Sequence, residues 1–143
     1  MDEEQQRRVT LERMETGVYR ARNAAGAELV FGSFVEDGFT PVELLLAAIG
    51  GCSAVDVDLV TGRRSEPERF EVTIEADKIR DEAGSILDNV RMTFHVHFPA
   101  GPDGDKARQL LPRAVRTSHD RTCTVSRTVE AATPVEVLVD DHA

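Results

Sequence analysis

Apolar and polar positions alternate along several short stretches of this chain and then give way to one long apolar run. From Val9, an imperfect alternation sets Val9 and Leu11 against Thr10 and Glu12. The stretches Val18 to Arg22 and Glu28 to Phe31 follow, separated by the turn signals Glu15-Thr16-Gly17 and Asn23-Ala24-Ala25-Gly26. Three short strands joined by tight turns predict an antiparallel meander. Residues 1–8 read as a frayed, solvated leader, and Gly32 to Phe39 as a loop.

The apolar run is TPVELLLAAIGGCSAVDVDLVTG, Thr40 to Gly62. Thr40 caps, Pro41 fits the first helical position and Glu43 completes a capping box. Between Leu44 and Val55 the stretch carries no charge. A helix apolar on nearly every side is expected to be buried. Gly50 and Gly51 interrupt it, and each mid-helix glycine costs about 1 kcal/mol relative to alanine. Close approach of another element explains such a pair, as does room for a ligand beside Cys52.

Past the charged connector Arg63 to Arg69, Phe70, Val72, Ile74 and Ala76 alternate with polar residues. Val90, Met92, Phe94, Val96 and Phe98 do the same after a turn at Asp81 to Ser85. These two strands are expected to pair antiparallel, each with one wet face. Asp105 to Asp120 has helical spacing, with Ala107, Leu110, Leu111, Ala114 and Val115 on one face and Pro112 inside, where it should kink or split the helix. His119 to Thr122 reads as a break, Cys123 as the start of a short helix, Pro134 to Val139 as a last strand and Asp140 to Ala143 as a tail.

The length of 143 residues suits a single domain with one core, residues 1–143. A net charge of −9 and the absence of Trp argue against nucleic acid or an anionic membrane as partner. Asp56 and Asp58 interrupt the central helix, so no membrane span is expected. The charged start, MDEEQQRRV, has no apolar core of a secretory signal, so a cytoplasmic location is expected, where a standing structural disulfide is not.

Chemistry rests on few residues. His95 and His97 share the polar face of one strand without a carboxylate or thiol at ligand spacing, which reads as a solvated face, and no metal is expected. Cys52 and Cys123 form no metal motif and no C-x-x-C motif, and on spacing alone they read as two buried thiols. Cys52 lies deep in the apolar helix, where desolvation disfavours its thiolate unless a cation reaches it; Arg20, Arg22, Arg121 and Arg127 are the candidates. Cys123 is placed at a helix start, which favours thiolate.

The segments TPVELLLAAIGGCSAVDV and HDRTCTVSRT together resemble the OsmC/Ohr family. The run G-G-C-S-A-x-D-V is closer to the OsmC-like branch of YhfA type than to Ohr proper. The resemblance implies an α+β OsmC-like fold, with curved antiparallel sheets around two central helices in an intertwined homodimer. It implies a cofactor-free, cysteine-based peroxidase that reduces organic hydroperoxides. Cys52 would form a sulfenic acid, Cys123 would resolve it, and an external dithiol would reduce the disulfide. Two departures bear on activation. The family's glutamate directly follows the helix-start proline, whereas here Val42 holds that position and Glu43 comes one residue later, turned by about 100°. Thr124 stands where proline is common. Glu43, Arg20 and Arg22 are therefore the candidate activating residues, with Glu43 also serving as cap. The alternative is a non-peroxidatic OsmC-like dimer that binds an apolar small molecule in the crevice around Cys52.

Overall fold

The computed structural model describes residues 5–140. Residues 1–4 of the expected leader and 141–143 of the expected tail lie outside the described residues. The architecture is α+β, with antiparallel sheets and three α-helices. The described chain falls into two units, one ending at Leu46 and the other starting at Ala47.

The first unit carries the meander: β1 (Val9–Glu15), β2 (Val18–Asn23) and β3 (Glu28–Phe31), in the order β1-β2-β3. Its register sets Glu12 opposite Arg20 and Arg22 opposite Glu28, so charges pair on one face. On the other face Tyr19 stacks obliquely on Phe31, with ring centroids 6.3 Å apart. Gly17 turns the first hairpin with φ of 74°, a conformation that disfavours any side chain.

Helix α1 (Pro41–Thr61) begins in the first unit and continues into the second. Its start is the predicted capping box. The Thr40 N–H donates to Glu43 Oε1 at 2.9 Å, and the Glu43 N–H donates back to Thr40 Oγ1 at 3.2 Å.

The second unit contains the hairpin of β4 (Arg69–Asp81) and β5 (Gly84–His97). Phe70 meets Phe94 edge-to-face across it, at 6.2 Å and 84°. The hairpin is longer than the alternation indicated. It continues from Asp77↔Asp88 to Asp81↔Gly84, past a register shift after Glu75 and a positive φ of 50° at Asn89. At its tip Asp81 Oδ1 accepts the N–H groups of Ala83 and Gly84. Gly50 of α1 lies against β4. A side chain there would drive into Ile74, whereas one at Gly51 would meet nothing. Close packing therefore accounts for the first glycine only.

Helix α2 (Pro102–Thr117) starts earlier than the spacing indicated, because Pro102 occupies its first turn, and it continues unbroken through Pro112. The break falls later, at Ser118–Thr122, and takes the form of a π-helical turn in which the Cys123 N–H donates to the Ser118 carbonyl at 2.7 Å. Helix α3 (Thr124–Glu130) follows.

Two further expectations fail. The strand read at Pro134 to Val139 is absent, and those residues pair with no sheet. Val135 is 85% and Val139 87% exposed. Their valine-rich composition suits a strand, but no strand edge of the described chain takes it up. Helix α1 is likewise not buried all round. Ile49, Gly50, Ser53, Val57 and Thr61 form one covered stripe, while Val55 and Leu59 stay exposed. By length and composition alone α1 is also long and apolar enough to cross a membrane, since two aspartates near its end do not offset the run before them. Its covered stripe nevertheless belongs to a protein core, with polar bonds described next.

Candidate active site

The second unit brings Cys52 and Cys123 together. Cys52 projects from the middle of α1 and is partly exposed; Cys123 caps α3 and is fully buried. The two thiols are near neighbours: the Cys52 thiol helps lower the Cys123 pKa, and both cysteines are free. Nothing in their spacing along the chain required this.

A polar chain, buried at Ser53 and Ser118 and reaching the surface at Thr122, joins the two elements that carry them. Ser118 donates to Asp56 Oδ2 at 2.8 Å, and Thr122 donates to the same oxygen at 2.9 Å. Ser118 has thus committed its proton, so the 3.1 Å contact with Ser53 is donated by Ser53. Ser53 and Asp56 lie one and four residues after Cys52 on α1, and Ser118 and Thr122 open and close the π-helical turn before Cys123. The wide turn and these bonds fix where Cys123 meets α1.

Around Cys123 the groups compete. Burial is the largest influence and disfavours the thiolate. Against it act Ser126, whose Oγ lies 3.4 Å from the sulfur and whose N–H donates to it at 3.5 Å, and the Cys52 thiol. Together they outweigh burial and the opposing charge of Asp56, and the Cys123 pKa falls below the ordinary 9.0.

Of the other predicted residues, Glu43, Arg20 and Arg22 belong to the first unit and are engaged there. Glu43 bonds to Thr40 in the cap, which lowers its pKa through the backbone and then the side-chain bond. Arg20 pairs with Glu12 and Glu28, and Arg22 with Glu28 at 3.3 Å. Arg121 on the π-helical turn and Arg127 on α3 are exposed.

Sequence reasoning missed Ser53, Asp56, Ser118 and Ser126, and it suggested Thr122 as the cap of α3, a place that Cys123 takes instead. A signal existed: Ser53 and Asp56 are polar residues beside a cysteine in an otherwise apolar helix, and Ser126 stands three residues past Cys123, where a thiol cap meets a backbone N–H.

Beyond Ser126 lies a cavity of about 350 Å³, walled by Ile49, Val90, Met92, Phe94, Val115 and Val129. Cys52 does not line it. At its rim His119 holds Asp120 through Nδ1 at 2.9 Å and Glu130 through Nε2 at 2.8 Å. Only the imidazolium donates through both nitrogens, and these bonds, Asp120 first, raise the His119 pKa above 6.5.

Residues 34–138, which include both cysteines, match the profile of the OsmC-like proteins. The chain belongs to the OsmC-like protein family. Among its OsmC-like relatives, the uncharacterized protein Rv2923c of Mycobacterium tuberculosis is 28% identical over 132 residues, 92% of this chain and 94% of the relative. Protein YhfA of Escherichia coli K12 is 28% identical over 116 residues, 80% and 82% of the two chains. The crystal structure of a hypothetical protein from Aquifex aeolicus VF5 superposes on this OsmC-like chain with a TM-score of 0.70, at 25% identity and 90% coverage of both.

Proposed function

We propose that this OsmC-like chain is a cysteine-based hydroperoxide reductase. The observation that carries the reading is the meeting of a partly exposed Cys52 with a buried Cys123 whose thiolate is favoured. Cys52 sulfur attacks the peroxide O–O bond, taking one oxygen and releasing an alcohol. Cys123 thiolate then attacks the sulfenic sulfur and expels hydroxide, which takes up a proton to leave water, and a disulfide forms. An external dithiol returns both thiols. The reaction needs no cofactor, and reduced thiols suit a cytoplasmic compartment.

The working unit is a homodimer in this reading. An apolar helix with 28% of its most apolar window buried, exposing Val55 and Leu59, needs a cover that the second copy supplies. Glu43, Arg20 and Arg22 remain candidates for activating Cys52. Their present partners favour structural roles, with Glu43 as cap and the arginines as cross-strand ion pairs.

The test is stoichiometric. One equivalent of cumene hydroperoxide added to reduced protein should consume both thiols, and Cys52→Ser should abolish the loss. Two surviving thiols after prolonged exposure would overturn the reading. The alternative, a dimer that binds an apolar small molecule without peroxide chemistry, finds its apolar cavity beyond Ser126 and not in a crevice lined by Cys52.

A further inference from the structure

The two sulfurs differ in access and in surroundings, and the difference bears on how an oxidised pair is reopened. Thiol–disulfide exchange requires an incoming thiolate to reach one sulfur while the other leaves with the bonding electrons. Cys123 is covered completely, whereas Cys52 is partly exposed. Access therefore directs the attack to Cys52 and makes Cys123 the leaving group.

The surroundings agree. Ser126 is buried and presents both its N–H and its hydroxyl to Cys123 sulfur, at 3.5 and 3.4 Å. In the thiol state Cys123 S–H points at Ser126 Oγ. When negative charge arrives on the sulfur, that hydroxyl rotates and donates instead, so both Ser126 groups then serve the anion. The charge that opposes the anion is Asp56, and the hydroxyls of Ser118 and Thr122 both bond its Oδ2. Helix α3 has 7 residues, so the local donors carry the effect.

We propose that Ser126 is a catalytic residue of re-reduction: it receives the charge on Cys123 sulfur as an external thiolate attacks Cys52 sulfur of the Cys52–Cys123 disulfide. The proposal rests on the reading that these two thiols form a disulfide. The incoming sulfur bonds to Cys52, the intrachain S–S bond breaks, and its electron pair passes to Cys123. The second thiolate of the dithiol then displaces Cys52 sulfur, and the reductant leaves as its cyclic disulfide. The lowered Cys123 pKa supports this order, because a more acidic thiol leaves faster.

The experiment begins with wild type, Ser126→Ala and Ser126→Thr, oxidised with diamide and checked by mass for the intrachain disulfide. Reduction by dithiothreitol at neutral pH is then timed. Ser126→Ala should be slower by about tenfold, the loss expected for one hydrogen bond to a charged group. Ser126→Thr, which keeps the hydroxyl, should stay within about threefold of wild type. In parallel, glutathione is added to oxidised wild type and the reaction quenched with N-ethylmaleimide, then mapped by peptide mass. Glutathione should be found on Cys52 and maleimide on Cys123. Glutathione on Cys123, or wild-type rates in Ser126→Ala, would overturn the proposal while leaving the disulfide reading intact. Failure of wild type to form the disulfide at all would overturn both.

Discussion

Cys123 sits between helpers and one opponent, and the opponent offers a direct test. Asp56 disfavours the Cys123 thiolate. Asp56→Asn removes that charge but keeps an oxygen for Ser118 and Thr122. In a Cys52→Ser background, where one thiol remains, iodoacetamide alkylation of Cys123 should therefore reach half-maximal rate at lower pH in Asp56→Asn than in its parent. A rise instead would mean that the aspartate holds the site together more than it opposes it. Glu43 allows a second test. Gln preserves the capping box, so Glu43→Gln should leave peroxide consumption within about twofold if the residue is a cap; a large fall would make its charge part of the chemistry. His119 titrates with a definite sign. Its pKa is raised by Asp120 and Glu130, so its clamp is complete below the ordinary 6.5 and is lost as pH rises through the higher folded value. The side chain is 48% exposed, so the effect on stability is small. Ring-proton NMR should show the raised value, and Glu130→Gln should bring it down. At this scale both cysteines and the cap were legible because each has a local signature. Asp56 and Ser118 were not, because what they do depends on a contact between segments far apart in sequence.

Among the elements, the tandem glycines separate cleanly. Gly50→Ala should destabilise by about 1 to 3 kcal/mol, since Ile74 has to yield. Gly51→Ala meets nothing among the described residues and should stabilise the helix by about 1 kcal/mol. Denaturant titration of both variants decides, and a loss at Gly51 would place another surface against it. The meander, α1 and the hairpin were readable because period and turn residues agree in each. The outer half of the hairpin was not, since SILDN breaks alternation and its pairing relies on a register shift. Pro112 misled in the other direction. A proline removes one helical hydrogen bond but does not force a break where packing holds the helix on both sides; here the ladder changes at Ser118, six residues later.

For the whole molecule, the decisive observation is how much apolar surface one copy leaves uncovered. Leu59 is 62% exposed, and Val137 and Leu138 are 79% and 82% exposed. If a second copy covers α1, sedimentation should show a dimer at micromolar concentration, and Leu59→Asp should shift it toward monomer. The fold class was legible through the resemblance of two segments to a known family, with which the order of elements agrees. The fate of Pro134 to Val139 was not, because β-branched residues mark a segment as able to pair without naming the edge that receives it. That unpaired segment has a consequence for how the protein comes into being. If, as proposed, a second copy completes its core, the chain matures by a second-order step, so doubling the concentration of new chains would quadruple the initial rate of assembly and raise the melting temperature with it. Until the encounter, Val135 to Val139 is a bare β-forming stretch open to any passing strand. Scarce chains are then the ones most exposed to proteolysis and misassociation.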